Sequence, residues 1–220
     1  MKSEFPEKAF ETYINYYLLN KGFKLYIPSQ AKEAKEAYDA LINNLANLAT
    51  TRRRIVSIAL QYKVVSEYKV HKIARNFKFD LYASKKKKYT QHNILYKKNK
   101  SSKYYAAGYV VPSFVTYQSL CDNLKYKTLL NNSYFIMPQY KISDSGYHYY
   151  TFDKNHALQH SPETLDSEIL SMAELLKQVD INGEAYAKPI ENFIESLLED
   201  IEDIEERSQN GYPVIAYKLF

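Results

Sequence analysis

The sequence predicts an α/β protein that ends in an acidic helical part. Three observations support this: an amphipathic helical repeat near the start, a series of β-branched and alternating apolar stretches between residues 23 and 152, and acidic helix-like segments from Pro162 onward. With 220 residues the chain can bury a sizeable core. We expect residues 1–160 to form one α/β domain and residues 161–220 an acidic helical segment packed on it.

The first helix is predicted over residues 6–21, with Pro6 near its start and Gly22 at its end. Its apolar positions follow the spacing of one helix face: Phe10, Ile14, Tyr17 and Leu18. The next stretch, "FKLYIPS", alternates like a short strand. Residues 31–48 have the alanine content of a helix, although "YDALI" within them could be a strand, and both alternatives stay open.

The stretch "IVSIALQYKVV" is the most strongly predicted strand, because it is long and dense in β-branched residues. "FKFDLYAS" alternates with Phe77, Phe79 and Leu81 on one face, and "KKKK" would form the turn after it. "YTQHNILYKKN" is predicted as a short helix or turn. Further strands are predicted at "YYAAGYVVPSF", "SYFIMPQYKI" and "GYHYYTFD".

Two acidic helices are predicted at the C-terminal end. The first begins at Pro162 with Ser161 as its N-cap. The second is "KPIENFIESLLEDIEDIEERSQNGY", whose apolar stripe runs from Ile190 to Ile204. This stripe could dock a partner, although packing on the protein's own sheet is its more common use.

Composition limits the setting and the class of function. The sequence has a single cysteine, so it has no intrachain disulfide and no cysteine-based zinc site. No apolar run is long enough for a membrane span, and the first residues lack a secretory signal pattern, so we expect a cytoplasmic protein without membrane contact. The five histidines show no zinc-binding spacing, and we expect His92 to be structural or a phosphate contact.

Charge is divided unevenly along the chain. Residues 1–110 contain 22 basic and 8 acidic residues, a net charge of +14, whereas residues 111–220 carry −9, for a total of +5. Such asymmetry favours an anionic partner for the first half. The candidate nucleic-acid contacts are basic residues interleaved with tyrosines: Arg52, Arg53, Arg54, Lys85, Lys86, Lys87, Lys88, Lys97 and Lys98. Lysine runs of this kind also occur as solvated loops.

Gln61 and Lys63 form the candidate site at the end of the strongest strand. Alternation places both on one face, with Tyr62 on the other, so that face is either solvated or a site. A metal-dependent phosphodiesterase needs a carboxylate, further oxygen ligands and a cation near the scissile phosphate. Asp39, the Gln61 amide oxygen and the Tyr62 carbonyl could supply the ligands, and Lys63 the cation.

The order of these residues resembles the PD-(D/E)XK nuclease superfamily, within it the Mrr-like restriction endonuclease branch. The motifs that carry the resemblance lie in residues 5–65: a first helix with Glu11 and Gly22, "EAYD" with Glu36 and Asp39, and "IALQYKV" with Gln61 and Lys63. The family pattern often has a glycine where this chain has Ala37. The resemblance fails if residues 31–48 form one continuous helix, because Asp39 would then lie on its surface.

The resemblance implies a restriction-endonuclease-like mixed central sheet flanked by helices, and a metal-dependent DNA endonuclease of restriction or phage defence. It implies that Asp39 and Gln61 hold Mg²⁺ or Mn²⁺, that Lys63 acts on the water and the phosphate, and that Glu11 completes the site, with Glu36 as its substitute. The alternative is a non-catalytic module on the same scaffold that binds nucleic acid. It could also bind a protein partner or a second copy of the chain.

Overall fold

The computed structural model describes residues 1–27, 39–46, 54–70, 74–82, 90–100, 106–161, 163–186 and 188–189. The helices in these ranges are α1 (Glu7–Asn20), α2 (Gln91–Asn99), α3 (Tyr117–Lys125) and α4 (Met172–Tyr186). The strands are β1 (Lys24–Tyr26), β2 (Ala40–Ala46), β3 (Arg54–Tyr62), β4 (Ser66–Val70), β5 (Ala74–Tyr82), β6 (Ala106–Pro112), β7 (Ser133–Met137), β8 (Tyr147–Phe152), β9 (Ala157–Ser161), β10 (Glu163–Ser171) and β11 (Lys188–Pro189).

These strands form one mixed sheet in the order β1-β2-β3-β6-β7-β10-β9-β8-β5-β4, with β11 beside the start of β3. Strands β1, β2 and β3 are antiparallel neighbours, and β6 is parallel to β3. A parallel pair needs a crossover connection, and α2 lies in the one between β3 and β6. The α/β class is therefore confirmed, with helices packed against a mixed sheet.

Two apolar clusters lie on the two sides of the central strands. One contains Phe10, Ile14 and Leu18 of α1 packed with Leu60 and Tyr62 of β3, together with residues of α3 and α4. The other contains Ala59 of β3, Leu95 of α2 and the aromatic residues of β5, β6 and β8. The alternation of β3 therefore buries both of its faces, as expected for a central strand.

A glycine is required where β6 and β7 approach each other closely. A Cβ on Gly108 would lie 2.5 Å from the Ile136 carbonyl oxygen, closer than carbon and oxygen can pack. Gly22 is required for a different reason: its φ is +88°, in the left-handed region that glycine occupies without strain. Gly22 follows the C-cap Lys21, so its predicted role in ending α1 is confirmed.

Most of the predicted elements are confirmed. Helix α1, the strands at β1, β3, β5, β6, β7 and β8, and the short helix α2 all form. Phe77, Phe79 and Leu81 are buried together on one face of β5, as the alternation predicts. Between the two alternatives for residues 31–48, residues 40–46 adopt the strand. The proposed turn at residues 85–88 lies outside the described residues.

The helix predicted from Pro162 is wrong over its first half. Residues 163–171 form β10, which pairs with β9 on one side and with β7 on the other. Two hydrogen-bonded ladders outweigh the helical propensity of this acidic segment. Ser161 is therefore no N-cap, and α4 begins instead with a capping box in which Ser171 Oγ accepts from the Glu174 N–H and the Glu174 carboxylate accepts from the Ser171 N–H.

Three described elements have no counterpart among the predictions: β4, α3 and β9. The second acidic helix was predicted from Lys188, but Lys188 and Pro189 pair with β3 as β11. The apolar stripe from Ile190 to Ile204 lies outside the described residues. Within the described part of the chain, no helix is both long enough and apolar enough to cross a membrane.

Candidate functional site

Asp39 lies directly before β2, beside the end of β3. Its backbone N–H donates to the Leu60 carbonyl at 2.8 Å, continuing the β2–β3 ladder by one residue. Its carboxylate oxygen Oδ2 accepts from the Tyr62 N–H and from Gln61 Nε2, both at 2.6 Å. Two donors fix the position of this carboxylate, and the strand pairing of residues 40–46 excludes a continuous helix over residues 31–48.

Gln61 is almost fully buried, with 1% of its surface exposed. Its nitrogen donates to Asp39, and its oxygen Oε1 accepts from Nε2 of Gln91, the first residue of α2. Nε2 also lies 3.4 Å from the Tyr62 carbonyl oxygen. The polar face at the end of β3 is therefore not a solvated face, because Gln61 belongs to a buried chain of polar groups that joins β2, β3 and α2.

Lys63 lies one residue beyond the end of β3. Its N–H donates to the Val110 carbonyl at 3.0 Å, so the backbone is still tied to β6. Its ammonium reaches back toward α1, where Nζ is 3.7 Å from Glu7 Oε1. About a fifth of the Lys63 side chain is exposed.

Glu11 is buried on α1, one turn after Glu7. Its carboxylate accepts from the exposed Lys8 ammonium at 2.7 Å. Burial raises the pKa of the Tyr62 phenol well above its ordinary value, and the charges of Glu11 and Asp39 raise it further. Both carboxylates therefore act on the same end of β3 and create a negative potential there.

The Tyr62 side chain lies on the opposite side of the strand from Gln61. Its ring meets Phe10 edge-on at 6.2 Å, and its hydroxyl donates to Asn15 Oδ1 at 2.6 Å. With its raised pKa the phenol keeps its proton at ordinary pH, so it cannot serve as a base. Only the Tyr62 backbone carbonyl is available as a metal ligand.

The oxygen atoms near the end of β3 are those of the Asp39 carboxylate, the Gln61 amide and the Tyr62 carbonyl. Among the described residues, no three His, Cys, Asp or Glu side chains form a group that could hold a metal ion by themselves. Mg²⁺ in proteins often uses only one or two carboxylates together with water. Asp39 would supply the carboxylate, and a half-turn of the Gln61 amide would exchange its nitrogen for its oxygen beside Asp39. Two oxygens this close repel each other unless a cation lies between them.

The structure brings together two of the predicted site residues, Asp39 and Gln61, which are hydrogen-bonded at the end of β3. The Lys63 ammonium is directed instead to Glu7 on α1, and Glu11 is close enough to affect the pKa of Tyr62. Lys97 and Lys98 lie in the last turn of α2. Arg54 begins β3, but its side chain lies outside the description. The remaining candidates lie outside the described residues: Glu36, Arg52, Arg53, Lys85, Lys86, Lys87 and Lys88.

Glu7 and Gln91 contact the candidate site residues but were not predicted from the sequence. Glu7 lies four residues before Glu11 and so on the same helix face, a spacing that could have identified it. Gln91 contacts Gln61 across 30 positions of sequence, and no local sequence pattern predicts such a contact. Helix α2 begins at this point because Thr90 caps it, accepting from the Asn93 N–H at 3.2 Å.

His92 follows Gln91 and supports α2 from inside the core. It is 2% exposed, with Nδ1 3.2 Å from the Tyr109 hydroxyl and Nε2 2.8 Å from the Tyr140 carbonyl oxygen. Burial lowers the pKa of His92 to about 4. A neutral, buried imidazole cannot contact phosphate, so of the two roles expected for His92 the structural one applies.

No protein-family model, curated protein or solved structure matches this chain.

Proposed function

We propose that this protein is a metal-dependent nuclease that hydrolyses phosphodiester bonds of DNA, with its site at the end of β3. The observation that carries the proposal is the hydrogen-bonded pair of Asp39 and Gln61 from two neighbouring strands, with Lys63 two residues after Gln61 and its ammonium paired with Glu7 of α1. Their order along the chain is the one that led to the PD-(D/E)XK resemblance. The antiparallel β2–β3 pair supports it, because it brings together residues 22 positions apart.

The side chains divide the chemistry among them. Asp39 is oriented by the Tyr62 N–H and presents a fixed carboxylate for Mg²⁺ or Mn²⁺. A divalent cation at such a site polarises a phosphoryl oxygen and lowers the pKa of bound water. Lys63 carries a positive charge to the entrance of the site, where it can stabilise the charge that develops on the phosphate. Glu7 forms an ion pair with that ammonium across 3.7 Å.

The charge around the site favours an extended polyanion as substrate. Helix α2 starts at the site with Gln91, and its last turn carries Lys97 and Lys98, roughly 10 Å further along its axis. Beyond them, the ammonium groups of Lys100 and Lys141 both lie 5.8 Å from the centre of the Tyr96 ring. Lysines contact phosphates and tyrosines stack on bases, so this end of α2 suits a nucleic-acid strand.

The test is cleavage of plasmid and single-stranded DNA by the purified protein with Mg²⁺, with Mn²⁺ and with EDTA. In the Lys63→Ala variant we expect cleavage to fall by about 10²- to 10³-fold, the loss that follows removal of one group stabilising transition-state charge. Lys125→Ala is the matched control, because Lys125 is an exposed lysine in the last turn of α3. Equal cleavage by Lys63→Ala and wild type would refute the assignment.

A second candidate is a non-catalytic module that binds nucleic acid on the same scaffold. It is favoured by one observation: the Gln61 amide nitrogen already satisfies Asp39, so the two side chains form a stable pair without a cation. This candidate predicts DNA binding that weakens as salt rises, with no cleavage under any metal condition.

A further inference from the structure

A cavity of about 490 Å³ opens at the far end of α1 from the candidate site. Its apolar lining includes the buried side chains of Phe23, Leu130 and Leu176. Its rim carries three lysines from three parts of the chain: Lys21 after α1, Lys127 after α3 and Lys177 in α4. Small-molecule sites commonly have roughly 300–1,000 Å³ and combine apolar walls with a few polar groups.

The three lysines make this cavity strongly positive. No aspartate or glutamate lines it, and within the described residues no ion pair joins these lysines to a carboxylate. Two acidic residues lie three positions from Lys177, Glu174 and Asp180, and the side chain of Asp180 lies outside the description. The Glu174 carboxylate is engaged by the Ser171 hydroxyl at 2.7 Å and the Ser171 N–H at 2.9 Å, and these hydrogen bonds lower its pKa.

The loop that carries Lys127 is held in place. Lys127 itself has a φ of +57°, a left-handed conformation that non-glycine residues adopt only where their surroundings enforce it. The buried Asn123 supplies that constraint, because its Oδ1 accepts from the Thr128 hydroxyl at 2.8 Å and from Asn132 Nδ2 at 2.6 Å. The cavity is therefore lined by a preformed loop, which reduces the entropy lost on binding.

We propose that this cavity binds a small phosphorylated organic molecule of the nucleotide class. Three ammonium groups that form no ion pair with a carboxylate among the described residues suit a ligand with two or more negative charges, since lysine binds phosphate as a point charge. The apolar lining suits a ring system attached to that phosphate. Tyr17 and Asn131 also line the cavity; the Tyr17 hydroxyl donates to the Leu124 carbonyl at 3.1 Å and can therefore serve a ligand only as an acceptor, and Asn131 adds a carboxamide.

The cavity is independent of the candidate nuclease site. Glu7, which contacts Lys63, is in the first turn of α1, and Lys21 follows its last residue. They lie fourteen positions apart, roughly 20 Å along the helix axis. A ligand in the cavity would therefore not contact Asp39 or Lys63, and either proposal can fail without the other.

The experiment is titration calorimetry in EDTA, so that no divalent metal takes part, with ATP, AMP, pyrophosphate and adenosine as probes. We expect ATP to bind more tightly than AMP, pyrophosphate to bind more weakly than ATP, and adenosine to give no signal. Lys21→Gln, Lys127→Gln and Lys177→Gln should each weaken ATP binding by about tenfold. Lys125→Gln is the control, because Lys125 does not line the cavity.

Three outcomes would overturn the proposal: no binding of ATP or AMP at millimolar concentration, unchanged ATP affinity when all three lysines are replaced, or pyrophosphate affinity equal to that of ATP. A DNA duplex serves as a further probe. If the three lysines affect duplex binding while the nucleotides do not bind, the cavity is a backbone contact and the nucleotide assignment is wrong.

Discussion

The two faces of β3 differ in what their side chains accomplish. On one face Ile58, Leu60 and Tyr62 are at most 1% exposed and pack under α1. On the other face Ala59 is equally buried, but Gln61 forms hydrogen bonds with Asp39 and Gln91 at the point where the strand ends. A single strand thus contributes apolar packing from one face and buried polar groups from the other.

Under the proposed function, the polar face serves metal binding rather than stability. Burying Gln61 requires partners from β2 and α2, whereas an apolar side chain at this position would need none. Substitutions on the α1 face should therefore change the free energy of unfolding, and substitutions on the polar face should change metal binding and cleavage. Four experiments test that separation.

The largest effect on stability is expected from Leu60→Ala. Leu60 is fully buried, and truncating such a leucine typically destabilises a protein by about 2–5 kcal/mol through lost burial and the cavity left behind. Urea denaturation followed by circular dichroism measures the change. The affinity for Mn²⁺ under native conditions should remain that of the wild type. A loss of Mn²⁺ affinity in a folded Leu60→Ala variant would show that the two faces are not separable.

Acid should destabilise the helix that supports the polar face. Burial lowers the pKa of His92 from its ordinary value of 6.5 to about 4, so the folded protein resists protonation that the unfolded chain accepts. The contribution is therefore fully present above pH 6.5 and is lost as the pH falls toward 4, by about 3 kcal/mol in total. Unfolding free energies between pH 7 and pH 4 measure it.

His92→Gln should remove most of that pH dependence, because glutamine does not titrate. The matched control is His156→Gln, since His156 is exposed. An unchanged slope in His92→Gln would assign the acid sensitivity to other groups.

Tyr62→Phe should have a smaller effect, confined to stability. The substitution keeps the ring against Phe10 but removes the donor to Asn15 Oδ1, which is itself buried. A buried acceptor left without its partner destabilises a protein by about 1–3 kcal/mol. Thermal unfolding measures this loss, and DNA cleavage should be unaffected because the phenol takes no part in the chemistry. Loss of cleavage in the folded variant would give Tyr62 a role beyond its backbone.

Gln61→Glu should change the melting temperature by a few degrees. Whether the temperature falls or rises should depend on whether a divalent metal is present. Without metal the new carboxylate would face that of Asp39 across the present 2.6 Å contact, and their repulsion should lower the melting temperature. Mg²⁺ should raise it by more than in wild type, because a second carboxylate strengthens a hard-cation site. Melting curves in EDTA and in Mg²⁺ give the comparison, and a variant indifferent to Mg²⁺ would favour the binding module.

The alternation along β3 predicted which residues share a face, because side chains in a strand alternate wherever the strand lies. It could not predict the partners. The contact between Asp39 and Gln61 depends on the register of β2 against β3, and β2 had equal grounds to be a helix from its composition. The contact between Gln91 and Gln61 depends on the crossover through α2. Local patterns carry no information about either.

The error at β10 has a related cause. Leu165 and Ile169 are spaced four residues apart, which fits one face of a helix, yet they are also spaced to share one face of a strand. Pairing with β7 and β9 decides between helix and strand. The sequence of β10 alone does not show which strands it pairs with. Sequence reasoning was thus sufficient for elements whose pattern fits a single period, and insufficient where two periods fit equally.

The most direct test of the proposed site is Mn²⁺ binding to wild type and to Asp39→Asn, measured by electron paramagnetic resonance with and without a short DNA duplex. Asparagine keeps the size of the side chain and can still accept from the Tyr62 N–H, so the fold should be preserved. We predict one Mn²⁺ site per chain in wild type and its loss in Asp39→Asn. Equal Mn²⁺ binding by both proteins, or none by wild type under either condition, would contradict a metal site at the end of β3.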